Sequence, residues 1–277
     1  MFYYILVRRG KLMKTVDQMR NSILREPPAD DLIQDLLPHS TTAYMLIAGR
    51  SGIGKTFLLL NILFCLASGT PFLSHKTKQC KAGYLSFEGD RRKILTRFET
   101  IGRSFPDAED YIHWEHTLPF PLNILGIEKL MEVITGLDVV GIDPLRPLVA
   151  GDYITPKDAS AFLTNLRKVQ NETSTTIILT HHIRKPDRRN KVQPEDLQFE
   201  IKGASEYVEA ATTVLLMEKA LQPRGNFGKF ASGSMLKNLH FVKIKDAPTE
   251  PQPVTLRFNS DSMLYEPMTD FFQEEGS

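Results

Sequence analysis

Apolar residues along this chain fall into two alternating patterns. Short continuous apolar runs occur at Tyr44-Met45-Leu46-Ile47-Ala48, Ala82-Gly83-Tyr84-Leu85-Ser86-Phe87, Leu137-Asp138-Val139-Val140-Gly141-Ile142 and residues 175–179. Runs of that length bounded by turn residues predict buried parallel strands. Between and after them, residues 57–67, 91–101, 127–135 and 157–170 have the length and spacing of helices, and residues 111–113 read as one more short strand. The 57–67 stretch is apolar on nearly every side, which implies burial against a sheet. Strands alternating with helices predict an α/β fold, a mostly parallel sheet with helices on both faces. Beyond residue 202 the texture changes. Residues 205–210 read as a helix, and residues 211–217, 239–245 and 253–258 as strands joined by polar turns, expected as antiparallel strands added at the C-terminal edge.

Upstream of the first run, Leu12, Val16, Met19 and Ile23 recur at helical spacing through residues 11–24, and Pro27-Pro28 ends the pattern. This amphipathic helix can pack on its own domain, the preferred reading, or on a neighbouring subunit as an exchange arm. Residues 30–37 are expected to form a short second helix. The opening Met1-Phe2-Tyr3-Tyr4-Ile5-Leu6-Val7 is too short for a membrane span, and Arg8-Arg9 follows it rather than precedes it, unlike a signal peptide. It suits an extra edge strand, or upstream sequence if translation starts at Met13.

Composition narrows the class. At 277 residues, 42% hydrophobic and 24% charged, the chain suits one large α/β domain or two small ones. A net charge of +1 gives no whole-molecule case for nucleic-acid binding, so any such case must be local. Cys65 and Cys80 lack metal-ligand spacing, and the pattern is that of a protein of a reducing, cytoplasmic compartment.

The chemistry concentrates after the first apolar run. Gly49, Arg50, Ser51, Gly52, Ile53, Gly54, Lys55 and Thr56 spell G-x-x-x-x-G-K-[ST] between a predicted strand and a predicted helix. Glycines there let backbone N–H groups converge on phosphate oxygens, and the helix N-terminus adds positive charge. Lys55 is expected on the β/γ-phosphates of ATP and the Thr56 hydroxyl on Mg²⁺. Asp143 ends an apolar strand and is expected to hold Mg²⁺ as well. The next residue is Pro144, which takes no proton, so a general base must come from elsewhere. Glu88, at the end of another apolar strand, is the candidate, with Asp90 as the alternative. His181 or His182 ends a further strand, where a side chain can hydrogen-bond the γ-phosphate and move the loop that follows. That loop carries Arg184, Lys185, Arg188, Arg189 and Lys191 against one acid, Asp187, and suits contact with a nucleic-acid backbone. No aromatic is interleaved, so base stacking is not expected from it.

Leu46 to Thr56, Tyr84-Leu85-Ser86-Phe87-Glu88-Gly89-Asp90, Ile142-Asp143-Pro144-Leu145 and Ile178-Leu179-Thr180-His181-His182 occur in the order and spacing of RecA-like ATPases. Within them the chain resembles the small plasmid-type RepA hexameric DNA helicases. The resemblance spans about residues 30–258. It implies a RecA-like P-loop NTPase domain over residues 30–265, flanked by an arm at 1–29 and a tail at 266–277. It also implies ATP and Mg²⁺ at subunit interfaces, a homo-oligomeric ring of hexameric type, single-stranded DNA in the channel and no membrane. The family's base matches Glu88, its metal-associated aspartate Asp143, and its sensor His182 rather than His181. The family's arginine-finger segment, R-G-S-S-x-L-V-D-x-A, here reads Lys202-Gly203-Ala204-Ser205-Glu206-Tyr207-Val208-Glu209-Ala210-Ala211, with lysine in place of the finger. Lysine supplies charge without arginine's bidentate fork. Lys243-Ile244-Lys245 resembles the family's closing hairpin, where a basic residue approaches the neighbouring nucleotide. The expected function is an ATP-hydrolysing, ring-forming helicase or translocase of a mobile-element or phage replication system. The alternatives are an ATP-dependent oligomeric switch or loader and, more weakly, a small-molecule kinase, for which no arginine-bearing lid is found.

Overall fold

The computed structural model describes residues 15–24, 31–183, 201, 205–220, 235–245 and 251–268. In chain order the first elements are α1 (Val16–Ile23), β1 (Asp31–Ile33), β2 (Leu37–Pro38), β3 (Tyr44–Gly49), α2 (Lys55–Ser68), β4 (Ala82–Ser86) and α3 (Arg91–Gly102). Next come β5 (Ile112–His116), α4 (Ile124–Ile134), β6 (Val139–Asp143), α5 (Pro156–Thr173), β7 (Thr176–His182) and α6 (Glu206–Ala210). The chain continues through β8 (Thr213–Lys219), β9 (Leu236–Ile244), β10 (Val254–Asn259) and β11 (Leu264–Pro267).

β3 is buried at every position because it is flanked by β7 and β8 and covered on both faces, which is why its sequence is a continuous apolar run. The nine-stranded sheet has the order β11-β10-β9-β8-β3-β7-β6-β4-β5. Pairing is parallel from β5 through β8 and antiparallel from β9 through β11. β8 thus extends the parallel set, pairing Met45 with Thr213 and Gly49 with Met217, where the sequence suggested that antiparallel strands would begin.

Helices α2 and α3 pack on one face of the sheet, and α4, α5 and α6 on the other. α2 shows no polar stripe because it meets the sheet, α3 and the β10–β11 hairpin at once. Its close approach depends on Gly141 in β6, where a Cβ would lie 2.6 Å from Leu59 Cδ1. A larger residue there would force the Leu59 and Leu63 side chains to shift.

Three expectations are corrected. Residues 30–37 form no helix; β1 and β2 pair as a tight hairpin. Asp35 at φ 61 turns the chain there, its N–H bonded to Asp31 Oδ2 at 3.0 Å. Leu32, Ile33, Leu36 and Leu37 are thereby all buried. Second, the described part of the apolar stripe of α1 is not buried on its own domain: Val16 is 75% exposed and Met19 47%. Third, the strand β11 was missed, and it carries the chain past residue 265 to Pro267. No helix among the described residues is long and apolar enough to cross a membrane.

A candidate phosphate site at the carboxyl edge of the sheet

β3 delivers the glycine-rich loop to the carboxyl edge of the parallel strands, and α2 begins within it at Lys55. Gly54 sits at φ 110, and a Cβ there would meet the Tyr265 hydroxyl, so glycine is required twice over. Lys55 is buried, and its Nζ donates to Gly49 O at 2.9 Å and Arg50 O at 3.0 Å. The same Nζ lies 3.3 Å from His182 Nδ1. Burial pushes the Lys55 pKa down to about 8, against the pull of the Asp143 and Glu88 carboxylates.

Thr56 Oγ1 donates to Asp143 Oδ2 at 2.6 Å, joining the start of α2 to the end of β6. Two further hydroxyls converge on the same carboxylate. Tyr84 Oη donates to Oδ2 at 3.2 Å, and Thr180 Oγ1 donates to Oδ1. Sequence reasoning missed both. Each lies inside an apolar strand, and only the pairing of β4 and β7 with β6 turns its polar atom towards Asp143. Burial, then the Asp143 charge, pushes the Tyr84 phenol well above its ordinary pKa, so it stays a donor.

Glu88 follows the end of β4 and is exposed. Ser86 Oγ donates to the Glu88 carbonyl at 2.7 Å, and Phe87 N to Asp143 O at 3.1 Å, which fixes this turn beside β6. Asp90, the alternative base, is engaged otherwise: its carboxylate caps α3 by accepting from Lys93 N at 3.1 Å.

The two histidines face opposite sides of β7, as strand alternation requires. His182 turns to Lys55. His181 is buried on the other face, 5.7 Å from the Tyr207 ring and 6.1 Å from that of Tyr153. Just past His182, Ile183 forms an antiparallel bridge with Ile201, and both are buried. Residue 202 therefore follows directly from a position paired to the end of β7. Lys202 itself and the basic residues Arg184, Lys185, Arg188, Arg189 and Lys191 lie outside the described residues. Lys243 donates to Val208 O at 3.1 Å and Glu209 O at 2.6 Å, so its ammonium holds the end of α6. Lys245 is exposed.

Hard oxygen donors at Thr56 and Asp143, beside a buried lysine and a glycine loop of positive φ, fit Mg²⁺ and the phosphates of a nucleotide. Carried on a sheet of this strand order, such a loop defines the class: a RecA-like P-loop ATPase fold. The chain belongs to the AAA domain family, whose model matches residues 7–188. The matched stretch carries Lys55, Glu88, Asp143 and His182 and stops short of Lys202. Among solved structures it is similar to one described as an ATPase domain, at 13% identity and a TM-score of 0.57, over 82% of this chain and 84% of that one. It is also similar to a DnaB-like replicative helicase, described with its interactions with primase. There the identity is 12% and the TM-score 0.61, over 91% of this chain and 67% of that one. At such identities the likeness concerns the fold. No curated protein matches the chain in sequence.

Proposed function

We propose that the protein is an ATP-hydrolysing motor that forms a hexameric ring on single-stranded DNA, as plasmid-type RepA helicases do, and serves replication of a mobile element or phage. The observation that carries this reading is the meeting of Lys55, Thr56, Asp143 and His182 at one point of the sheet edge. The solved replicative helicase of similar fold supports it.

Thr56 and Asp143 would hold Mg²⁺, which when bound offsets charge on the transferring phosphoryl group. Lys55 turns its ammonium from the Gly49 and Arg50 carbonyls to the β/γ-phosphates. Glu88 takes a proton from the attacking water at its carboxylate. Once Lys55 turns away, His182 donates a ring N–H to a γ-phosphate oxygen and shifts with it. Residues 184–191 follow His182 after Ile183, and their cations contact the DNA backbone. The Ile183–Ile201 bridge couples the same movement to Lys202, which reaches a neighbouring subunit's nucleotide. Lysine rather than arginine at that position favours a second reading, an ATP-dependent oligomeric switch or loader that acts on a partner protein without unwinding.

Phosphate release with and without single-stranded DNA, followed by strand displacement on a forked duplex, tests the proposal. A motor shows stimulated hydrolysis and ATP-dependent displacement. Hydrolysis without stimulation or displacement selects the switch, and no hydrolysis in any oligomeric state overturns both.

A further inference from the structure

The third hydroxyl on Asp143 is unexpected for its position. Tyr84 is 3% exposed, and its ring packs against Phe98 at 5.8 Å between centroids, in the apolar layer beneath α2 and α3. Phenylalanine would fill that space, and burying a hydroxyl is unfavourable unless it is bonded. Its partner is Asp143 Oδ2 at 3.2 Å, the oxygen that also accepts from Thr56 at 2.6 Å. β4 and β6 are paired in register with Ser86 opposite Asp143 and Tyr84 opposite Gly141. The phenol thus starts two residues back from the carboxylate and spans that distance along the neighbouring strand.

One carboxylate oxygen therefore serves two donors on different elements. Thr56 belongs to the phosphate loop, and its hydroxyl oxygen is drawn away when it coordinates a cation. Tyr84 belongs to a buried strand and stays where it is. We propose that Tyr84 is a positioning residue for the metal site, its hydroxyl tethering Asp143 Oδ2 so that the carboxylate keeps its orientation when Thr56 turns to a divalent cation. This rests on the reading of Thr56 and Asp143 as the Mg²⁺ site. The metal-dependent part of nucleotide affinity should then need the Tyr84 hydroxyl, and the metal-independent part should not.

The test measures the affinity of a fluorescent ADP analogue in Mg²⁺ and in EDTA, for wild type, Tyr84→Phe, Asp143→Asn and the double variant. Tyr84→Phe keeps the ring and its packing. The expected result is an EDTA affinity close to wild type and a Mg²⁺-dependent gain reduced about tenfold, the usual scale for losing a group that orients a ligand. Within the Asp143→Asn background the same substitution should change nothing further. An undiminished Mg²⁺ gain in Tyr84→Phe overturns the proposal. So does an equal loss in EDTA, or a further loss in the Asp143→Asn background, since either assigns the residue to packing. Failure of the underlying reading looks different: wild type and Asp143→Asn would then show the same Mg²⁺ gain.

Discussion

The Asp143 side chain accepts from the hydroxyls of Thr56, Tyr84 and Thr180. Asp143 is the residue that would hold Mg²⁺, so the proton of an attacking water is left to another group. Glu88 is exposed at the end of the adjacent strand, and Asp90 is occupied as the cap of α3. Glu88→Gln should therefore bind nucleotide as wild type does and lose about 10²–10⁴ in hydrolysis, the range for a general base. Parallel measurements of phosphate release and analogue binding check this. Turnover close to wild type would remove Glu88 from the role.

Between elements, the least expected contact joins α2 to β11. Asn61, buried on α2, donates from Nδ2 to Met263 O at 3.1 Å and accepts at Oδ1 from Tyr265 N at 2.7 Å. Phe57, Phe258 and Tyr265 pack in tilted pairs, with ring centroids 4.9 and 5.1 Å apart. Asn61→Ala would remove both bonds and leave the partly buried Met263 carbonyl and Tyr265 N–H without this partner, at about 1 kcal/mol or more. Denaturant melts should show that loss, and nucleotide affinity should fall because Tyr265 lines Gly54. A midpoint equal to wild type would mean that the hairpin is held by its rings alone. This contact was not legible in the sequence, and the reason is general. Residues 49–56, Asp143 and the His181-His182 pair were legible because each sits at the end of an apolar run, where chain order alone places it at the sheet edge. Tyr84, Thr180 and Asn61 were not, because each polar atom lies within an apolar element and its partner is set by pairing at long range. The β1–β2 hairpin failed for a different reason: four apolar residues around one turn satisfy helix and hairpin spacing alike, and burial decided between them.

At the scale of the assembly, a finger acts only across an interface. Lys202→Ala subunits keep their phosphate loop, and Lys55→Ala subunits keep their finger. Each alone should hydrolyse ATP poorly, and a mixture should recover activity at the interfaces that pair a sound loop with a sound finger. No recovery in mixtures shown by light scattering to co-assemble would move the role from Lys202 to Lys245, since Lys243 is engaged with α6. The bond between Asn61 and Tyr265 also has a meaning in time, because it spans 204 residues of chain. At roughly 5–20 residues per second of synthesis, the flank of the phosphate loop waits about 10–40 s for the hairpin that covers it. The hairpin that covers the loop's flank is thus, among the described residues, the last part of the sheet to be synthesised.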